Sequence, residues 1–185
     1  MVNILNNLYS TKSKDYPNKT FFNSEDGSSL YGEVTQKGTD NLVKYFDNYF
    51  NKDTVFYDLG SGLGKMVIHI GLKYGVKKSV GIELSKERYQ AAMFLKEKYA
   101  PTNNNILFYN TSFYKYDLKD ATIIYIDNTT STSEANIKIL SQIPSGCLYI
   151  FKASRGYFKE IDYKTEQNLV ERTYNQSQIS WFIKE

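Results

Sequence analysis

Two residue types that carry much of enzyme chemistry are nearly absent. The 185-residue chain holds one cysteine, Cys147, and one histidine, His69. A single cysteine excludes an intrachain disulfide and a cysteine metal cluster. A single histidine makes a histidine metal set or a Ser-His-Asp triad a poor expectation. No apolar run approaches the ~20 residues of a membrane-crossing helix. The opening MVNILNNLYSTKSKD has no long apolar segment and no small-residue cleavage site, so an intracellular, non-secreted protein is expected, in nucleus or cytoplasm. A long Lys/Arg run is also missing. The net charge of +3 permits an acidic partner without arguing for one, and weak or no direct nucleic-acid binding is expected.

What is present suits one domain with a real core. Residues 1–30 are polar and weakly periodic, and read as an N-terminal arm or lid. Residues 31–185 read as the domain proper. In TDNLVKYFDNYF, Leu42, Val43, Phe46, Tyr49 and Phe50 share a helical face, with Thr39 or Asp40 as cap. The period then changes. TVFYDLG reads as a buried strand, GKMVIHIGLKYG as a helix stopped at Gly75, and KSVGIEL as a second strand. SKERYQAAMFLKEKY is a helix capped by Ser85 and halted before Pro101. NILFYN and ATIIYID are strands three and four, STSEANIKILSQI a helix with Ser131 and Glu134 as capping box, and GCLYIFKA strand five. NLVERTYN and SQISWFIKE read as a hairpin. Right-handed crossovers then predict a Rossmann-like α/β fold, a mostly parallel seven-stranded sheet with an antiparallel C-terminal hairpin.

The loop in VFYDLGSGLGKMVIHIG, residues 55–71, poses a choice of ligand. A triphosphate loop needs four residues between its glycines, then Lys-Ser/Thr. Here three residues separate Gly60 from Gly64, and Met66 follows Lys65. The dinucleotide fingerprint places its third glycine one residue later. Charge separates the options further. Asp58, two residues before Gly60, would repel a pyrophosphate at low effective dielectric. It suits a ligand carrying an ammonium and a sulfonium, and S-adenosylmethionine is one. Glu83, ending the next strand about twenty residues on, suits two ribose hydroxyls. Each acid has a plainer reading, Asp58 as a helix cap and Glu83 as a solvated strand end. Both together, with this glycine spacing, point to a class I S-adenosylmethionine-dependent methyltransferase.

The acceptor in such a fold lies beyond the fourth strand. Methyltransferases acting on exocyclic base amines carry Asn/Asp-Pro-Pro-aromatic there. This chain has Asp127-Asn128-Thr129-Thr130, which disfavours a nucleic-acid amine. Cys147, just before the fifth strand, reads as a small core residue rather than a nucleophile.

LYGEVT, YDLGSGLGK, VGIELSKER and IIYIDNTTS together resemble the seven-β-strand, non-SET protein-lysine methyltransferases. Within them, the chain resembles the catalytic core of the disruptor-of-telomeric-silencing histone-lysine methyltransferases, over roughly residues 30 to 185. Tyr-Gly-Glu paired with DLGSG is the specific part. Small archaeal-type and organelle-type lysine methyltransferases, sharing VYDLG-x-G and VKK-x-VG-E, are a close second. The resemblance implies that Tyr31, Glu33 and Thr35 fold over the methionine part of S-adenosylmethionine, with Glu33 toward its ammonium. Asp58, Gly60 and Gly62 match the cofactor loop and Glu83 the ribose acid. Lys65 stands where the family has Gln, facing the methionine carboxylate. Ser112 and Phe113 match an Asp-Phe pair at the adenine. Asn128 matches the residue beside the transferred methyl, and Trp181 falls near a channel-wall tyrosine.

The implied activity is methylation of a protein lysine, with a histone, histone H3 in nucleosomes, as leading substrate. A non-histone basic protein, an RNA or a small molecule are the alternatives. Known nucleosome-acting members carry a helical N-terminal region and basic segments that this sequence does not display, so lysine methylation is better supported than the nucleosome. The lysine enters a channel walled by Tyr31, Trp181 and the NTTS loop. Its pKa, about 10.4 when free, falls by desolvation beside a sulfonium, so no general base is needed. No metal is expected. His69, mid-helix between Ile68 and Ile70, reads as structural.

Overall fold

Each apolar run bounded by turn signals forms a strand in the computed structural model. The structure describes residues 1–12, 15, 32–127, 133–152, 164–172 and 176–185, without the side chains of residues 133–136, 166–168 and 176–178. The strands are β1 (Val55–Leu59), β2 (Lys78–Glu83), β3 (Ile106–Asn110), β4 (Ile123–Asp127), β5 (Leu148–Lys152), β6 (Lys164–Glu171) and β7 (Gln176–Ile183). They form one sheet in the order β3-β2-β1-β4-β5-β7-β6. The first five are mutually parallel, β7 is antiparallel to β5, and β6 is antiparallel to β7. The order reverses between β1 and β4, where open α/β sheets place their ligands at the strands' carboxyl ends.

Strand alternation divides the core. Val55, Tyr57 and Leu59 of β1, Ile124 and Ile126 of β4 and Tyr149 and Phe151 of β5 face one side, with Ile139 of α5 (Ser133–Leu140). Phe56, Ile123, Tyr125, Leu148 and Ile150 face the other, against α2 (Gln36–Tyr45) and α3 (Lys65–Lys73). On that second side α3 also meets α1 (Val2–Ser10) and α4 (Lys86–Tyr99) around Leu5, Leu8, Val67, Ile68, Leu95 and Phe108. Helix α3 is thus buried nearly all round from Lys65 to Gly71, which explains why His69 is the one polar residue between its terminal lysines. Among the described residues no helix is long and apolar enough to cross a membrane. Cys147 is buried, and burial pushes its thiol up to about 12, as expected of an inert core cysteine.

Helix α2 ends at Tyr45, so Tyr49 falls in a 3-10 turn, Asp47–Tyr49, and is exposed, and Phe50 lies beyond it rather than on the helical face. Two further expectations change. Helix α2 begins at Gln36, capped by Thr35, whose Oγ1 accepts from Gly38 N at 3.0 Å. Neither Thr39 nor Asp40 is the cap. Gly38, in the first turn, masked this start. It is there because α2 presses on β6: an added Cβ would stand 2.3 Å from the Glu171 carbonyl oxygen. The second change is at the N-terminus. Residues 2–10, read as part of a polar arm, form α1, and its Leu5 and Leu8 are buried. Only two apolar positions enter the core, too few to give a visible period. Polar contacts complete the docking. Tyr9 OH lies 3.2 Å from His69 Nδ1 and 3.0 Å from Thr39 Oγ1. Asp40 Oδ1 lies 3.0 Å from His69 Nε2, off the line of a good hydrogen bond, and accepts from Lys73 Nζ at 2.7 Å and from Tyr74 OH. Burial lowers the His69 pKa to about 4, so the ring is neutral and joins α1, α2 and α3 as a structural group.

Leu8→Ala is expected to cost about 2–4 kcal/mol in urea unfolding, because it empties a buried site. A loss within about 0.5 kcal/mol, the range of surface substitutions, would mean that α1 is not part of the core.

Candidate functional site

The carboxyl ends of β1, β2 and β4 bring the acids of the sequence motifs together. Beyond β1 the loop turns back on β2: Gly60 N and Ser61 N both donate to Ile82 O, at 2.8 and 3.1 Å. Gly64 then starts α3 with a φ of 75°, and a Cβ there would meet the Phe108 ring at 2.5 Å. Any side chain at that position would lift α3 from the sheet. In front of Gly60 an added Cβ would meet nothing, so the loop backbone is open to a ligand.

Glu83 is buried and fixed by two backbone donors. Gly62 N donates to Oε2 at 2.8 Å and Ser85 N to Oε1 at 2.9 Å. A carboxylate accepts about four hydrogen bonds, so roughly two positions remain for hydroxyls. Asn110 Nδ2 donates to the carbonyls of Glu83 and Leu84, both at 3.0 Å, and ties β3 to this strand end. Ser112 follows at the start of a short 3-10 turn, Phe113–Lys115, with Phe113 half-buried against the core beside Tyr114. Gln142, after α5, holds the Tyr114 carbonyl at 3.1 Å.

Asp58 differs from Glu83. It is 6% exposed, and among the described residues none donates a hydrogen bond to it. Burial first, and then the Glu83 charge, raise its pKa to about 7 against the opposing charge of Arg172. It does not cap α3, whose cap position is Gly64 with no side-chain bond. Lys65, also buried, donates to Glu33 Oε2 at 2.9 Å and to the Thr11 carbonyl at 3.3 Å, just past the end of α1. A cation and an anion thus stand paired next to the glycine loop. A cavity of about 320 Å³ is lined by Tyr9, Glu33, Lys37 and Glu171.

The structure thus ties Glu83 to Gly62 and sets its charge against Asp58, and it brings Glu33 to Lys65 behind the glycine loop, with Ser112 and Phe113 following the neighbouring strand β3. Thr35 stands close but is occupied: besides capping α2 it donates to Glu171 Oε1 at 3.2 Å. Trp181 is not brought into the group. Register aligns it with Ile150, Tyr125 and Asp58 across four strands, so it lies three strand spacings, roughly 14 Å, from Asp58. It is half-buried, edge-on against Phe46 at 5.3 Å, with the exposed Lys164 over its ring. Tyr31, Asn128 and the rest of the NTTS loop fall outside the described residues.

One residue escaped sequence reasoning. Arg172, just past β6, is buried, donates from Nη2 to Tyr125 OH at 2.7 Å, and pairs through Nη1 with Asp127. A signal existed: the chain has only three arginines among 23 basic residues, and this one directly follows an apolar pair and an acid. Arginine is preferred over lysine where a buried cation must hold two partners. Among the described residues no group of His, Cys, Asp and Glu is arranged for a metal ion.

Comparison with known proteins gives this geometry a context. The family described as histone methylation protein DOT1 matches residues 15–182. A protein-lysine N-methyltransferase of Saccharolobus islandicus (strain REY15A) is 31% identical over 84 residues, 45% of this chain and 52% of that protein. A ribosomal protein L11 methyltransferase of Alkaliphilus oremlandii (strain OhILAs) is 34% identical over 58 residues, 31% of this chain and 18% of that protein. The chain thus matches about half, or less, of the length of these relatives. Among solved structures, an RNA methyltransferase from Salinibacter ruber, in complex with S-adenosyl-L-homocysteine, superposes with a TM-score of 0.67 at 20% identity, over 83% of this chain and 94% of that one. The fold is that of the class I methyltransferases.

The raised Asp58 pKa has a stability consequence. Unfolded, the carboxyl ionises near 3.8; folded, it holds its proton to about 7. The protein without ligand binds more protons than its unfolded chain in that window, so Asp58 makes stability fall as pH rises from 4 to 7. Asp58→Asn is expected to remove this fall and to stabilise the ligand-free protein at pH 7 by on the order of 3 kcal/mol. Urea unfolding at pH 4, 5.5 and 7 measures it; an unchanged slope would show that Asp58 is ionised throughout.

Proposed function

Because the chain belongs to the DOT1 family of histone methylation proteins, we propose that it is an S-adenosylmethionine-dependent protein-lysine N-methyltransferase acting on a histone, histone H3 in nucleosomes first. The observation that carries the donor half is the buried Asp58, without a hydrogen-bond donor among the described residues, beside Glu83 and the open glycine loop. A phosphate ligand would meet two acids there. A ligand with a free amino group and a ribose meets what each acid lacks. The residues present therefore fit S-adenosylmethionine, which supplies, when bound, a methyl group on a sulfonium.

Each residue has a task in this reading. Asp58 and Glu33 receive the ammonium, and Lys65 receives the carboxylate. The Lys65–Glu33 pair keeps both charges in place until the two ends of the amino acid separate them. Glu83, already oriented by Gly62 N and Ser85 N, accepts the ribose hydroxyls. Phe113 packs on the adenine, and Ser112 is its weaker hydrogen-bond partner. Gly60 and Gly62 leave the backbone close to the ligand. Tyr31 and Asn128 line the entry of the acceptor lysine, and Thr35 fixes the segment that carries Glu33. Trp181 supports α2 from the core side rather than lining that entry. The lysine loses its proton to solvent as it leaves water, because burial disfavours its charged form. The chain's work is then positioning and exclusion of water.

A protein substrate is supported by the family and by the relative named a protein-lysine N-methyltransferase. Methyl transfer from labelled S-adenosylmethionine should label a histone lysine when nucleosomes, free core histones, other basic proteins and total RNA are offered side by side. Asn128→Ala should lower the rate at least about a hundredfold, the scale of a lost positioning contact, and leave cofactor affinity within a few-fold. Label on RNA alone, or cofactor binding with no label on any of them, would move the reading to an RNA or small-molecule methyltransferase.

A further inference from the structure

The C-terminal hairpin reaches the candidate donor site by one side chain. Strand β6 is four strands from β1 in the sheet. Its pairing with β7 is irregular between Glu166 and Val170, and such a bulge bends the strand. Past it, Val170 is buried with Leu42 and Val43 of α2, Glu171 O accepts from Thr35 N at 2.9 Å, and Arg172 forms an antiparallel bridge with Val34. The segment carrying Glu33 is thus stitched to the end of β6. From that position the Arg172 guanidinium extends to Tyr125 OH and Asp127 at the end of β4. Tyr125 is the register neighbour of Asp58.

We infer that Arg172 is the positioning residue of the methyl-donor site. It locks the Glu33 segment to the end of β4 and supplies the buried positive charge that lets Asp58 receive the donor's ammonium as a carboxylate. Arg172 itself touches Asp127 and Tyr125 and acts on the ligand through Asp58. This inference rests on the donor-site reading above.

The charges around Asp58 make the role necessary. Glu83 ends β2, Asp127 ends β4, and both are acids. Lys65 on α3 is already paired with Glu33. Tyr125, on the adjacent strand, is held as an acceptor toward Arg172. Arg172 is the cation that opposes protonation of Asp58. A planar guanidinium can hold a phenol and a carboxylate at once in fixed geometry, which a lysine ammonium on a flexible stem does less well.

The test is the affinity of S-adenosylmethionine as a function of pH, from 5.5 to 9, measured by calorimetry on the full chain. In the natural protein affinity should rise with pH as Asp58 ionises, with a midpoint close to 7. Arg172→Met should move that midpoint up by about one unit or more, since an opposing charge is lost. Asp127→Asn should move it down, since Arg172 is then less neutralised. Arg172→Lys should keep the midpoint and weaken binding several-fold at every pH, through the lost fork. A purely structural role would weaken binding without moving the midpoint, and opposite shifts in the two neutralising variants cannot come from loosened packing. Midpoints that stay put, or move the same way in both variants, overturn the inference. If Arg172→Met does not fold, the downward shift in Asp127→Asn and the unmoved midpoint in Arg172→Lys decide alone, and their absence overturns it. Should the natural protein fail to bind S-adenosylmethionine at any pH, the donor-site reading falls instead.

Discussion

A carboxyl group buried at the carboxyl end of a central strand, with no hydrogen-bond donor to it among the described residues, governs much of this structure. Asp58 cannot ionise there without help, and a group in such a place is costly to keep. The neighbourhood is organised around that cost. The glycine loop passes in front without a side chain. Glu83, equally buried, is held by backbone donors. A guanidinium arrives from the far edge of the sheet, and α2 rests on β6 so closely that only Gly38 fits. Thr35 both caps α2 and bonds Glu171.

The arrangement suits a ligand that is itself charged in pieces. Glu33 and Lys65 stand as a pair of opposite sign where the glycine loop enters α3, and in the proposed reading an amino acid's two ends take their places without leaving a buried charge alone. Breaking a buried pair by removing one partner is strongly unfavourable. Exchange of one partner for a ligand group of the same sign is far less so. Such a site is selective before any shape is considered: a ligand with only a carboxylate, or only an amine, would strand one member of the pair.

Much of this was legible in the sequence, and what was not has physical causes. The five parallel strands and the hairpin followed from short apolar runs and turn residues, and the Ser85 cap holds, with Oγ 3.3 Å from Arg88 N. Asp58, Glu83 and the loop could be read because local spacing in a strand-loop-helix unit determines where they point. Arg172 could not, because its role depends on a bulge and on a contact spanning 47 positions. Helix α1 was missed because only Leu5 and Leu8 enter the core. The Thr35 cap was hidden by Gly38, whose reason is the backbone of β6. Lys65 was expected to face a ligand and is found paired with Glu33. Trp181 was aligned from a strand pattern that gives the register of β7 but not the helix lying over it.

The position of Arg172 in the chain also sets an order of events. A protein is made from its N-terminus at about 5–20 residues per second. The strands that carry Asp58, Glu83 and Asp127 leave the ribosome before Arg172 has been added. A nascent sheet assembled from them alone holds three acids at one edge and no guanidinium. Arg172 is the charge that opposes protonation of Asp58, so without it the carboxyl holds its proton more strongly. Docking of the last hairpin therefore does more than finish a sheet. It brings a buried guanidinium to that edge, and the charge balance among these residues is complete only at the end of the chain's synthesis.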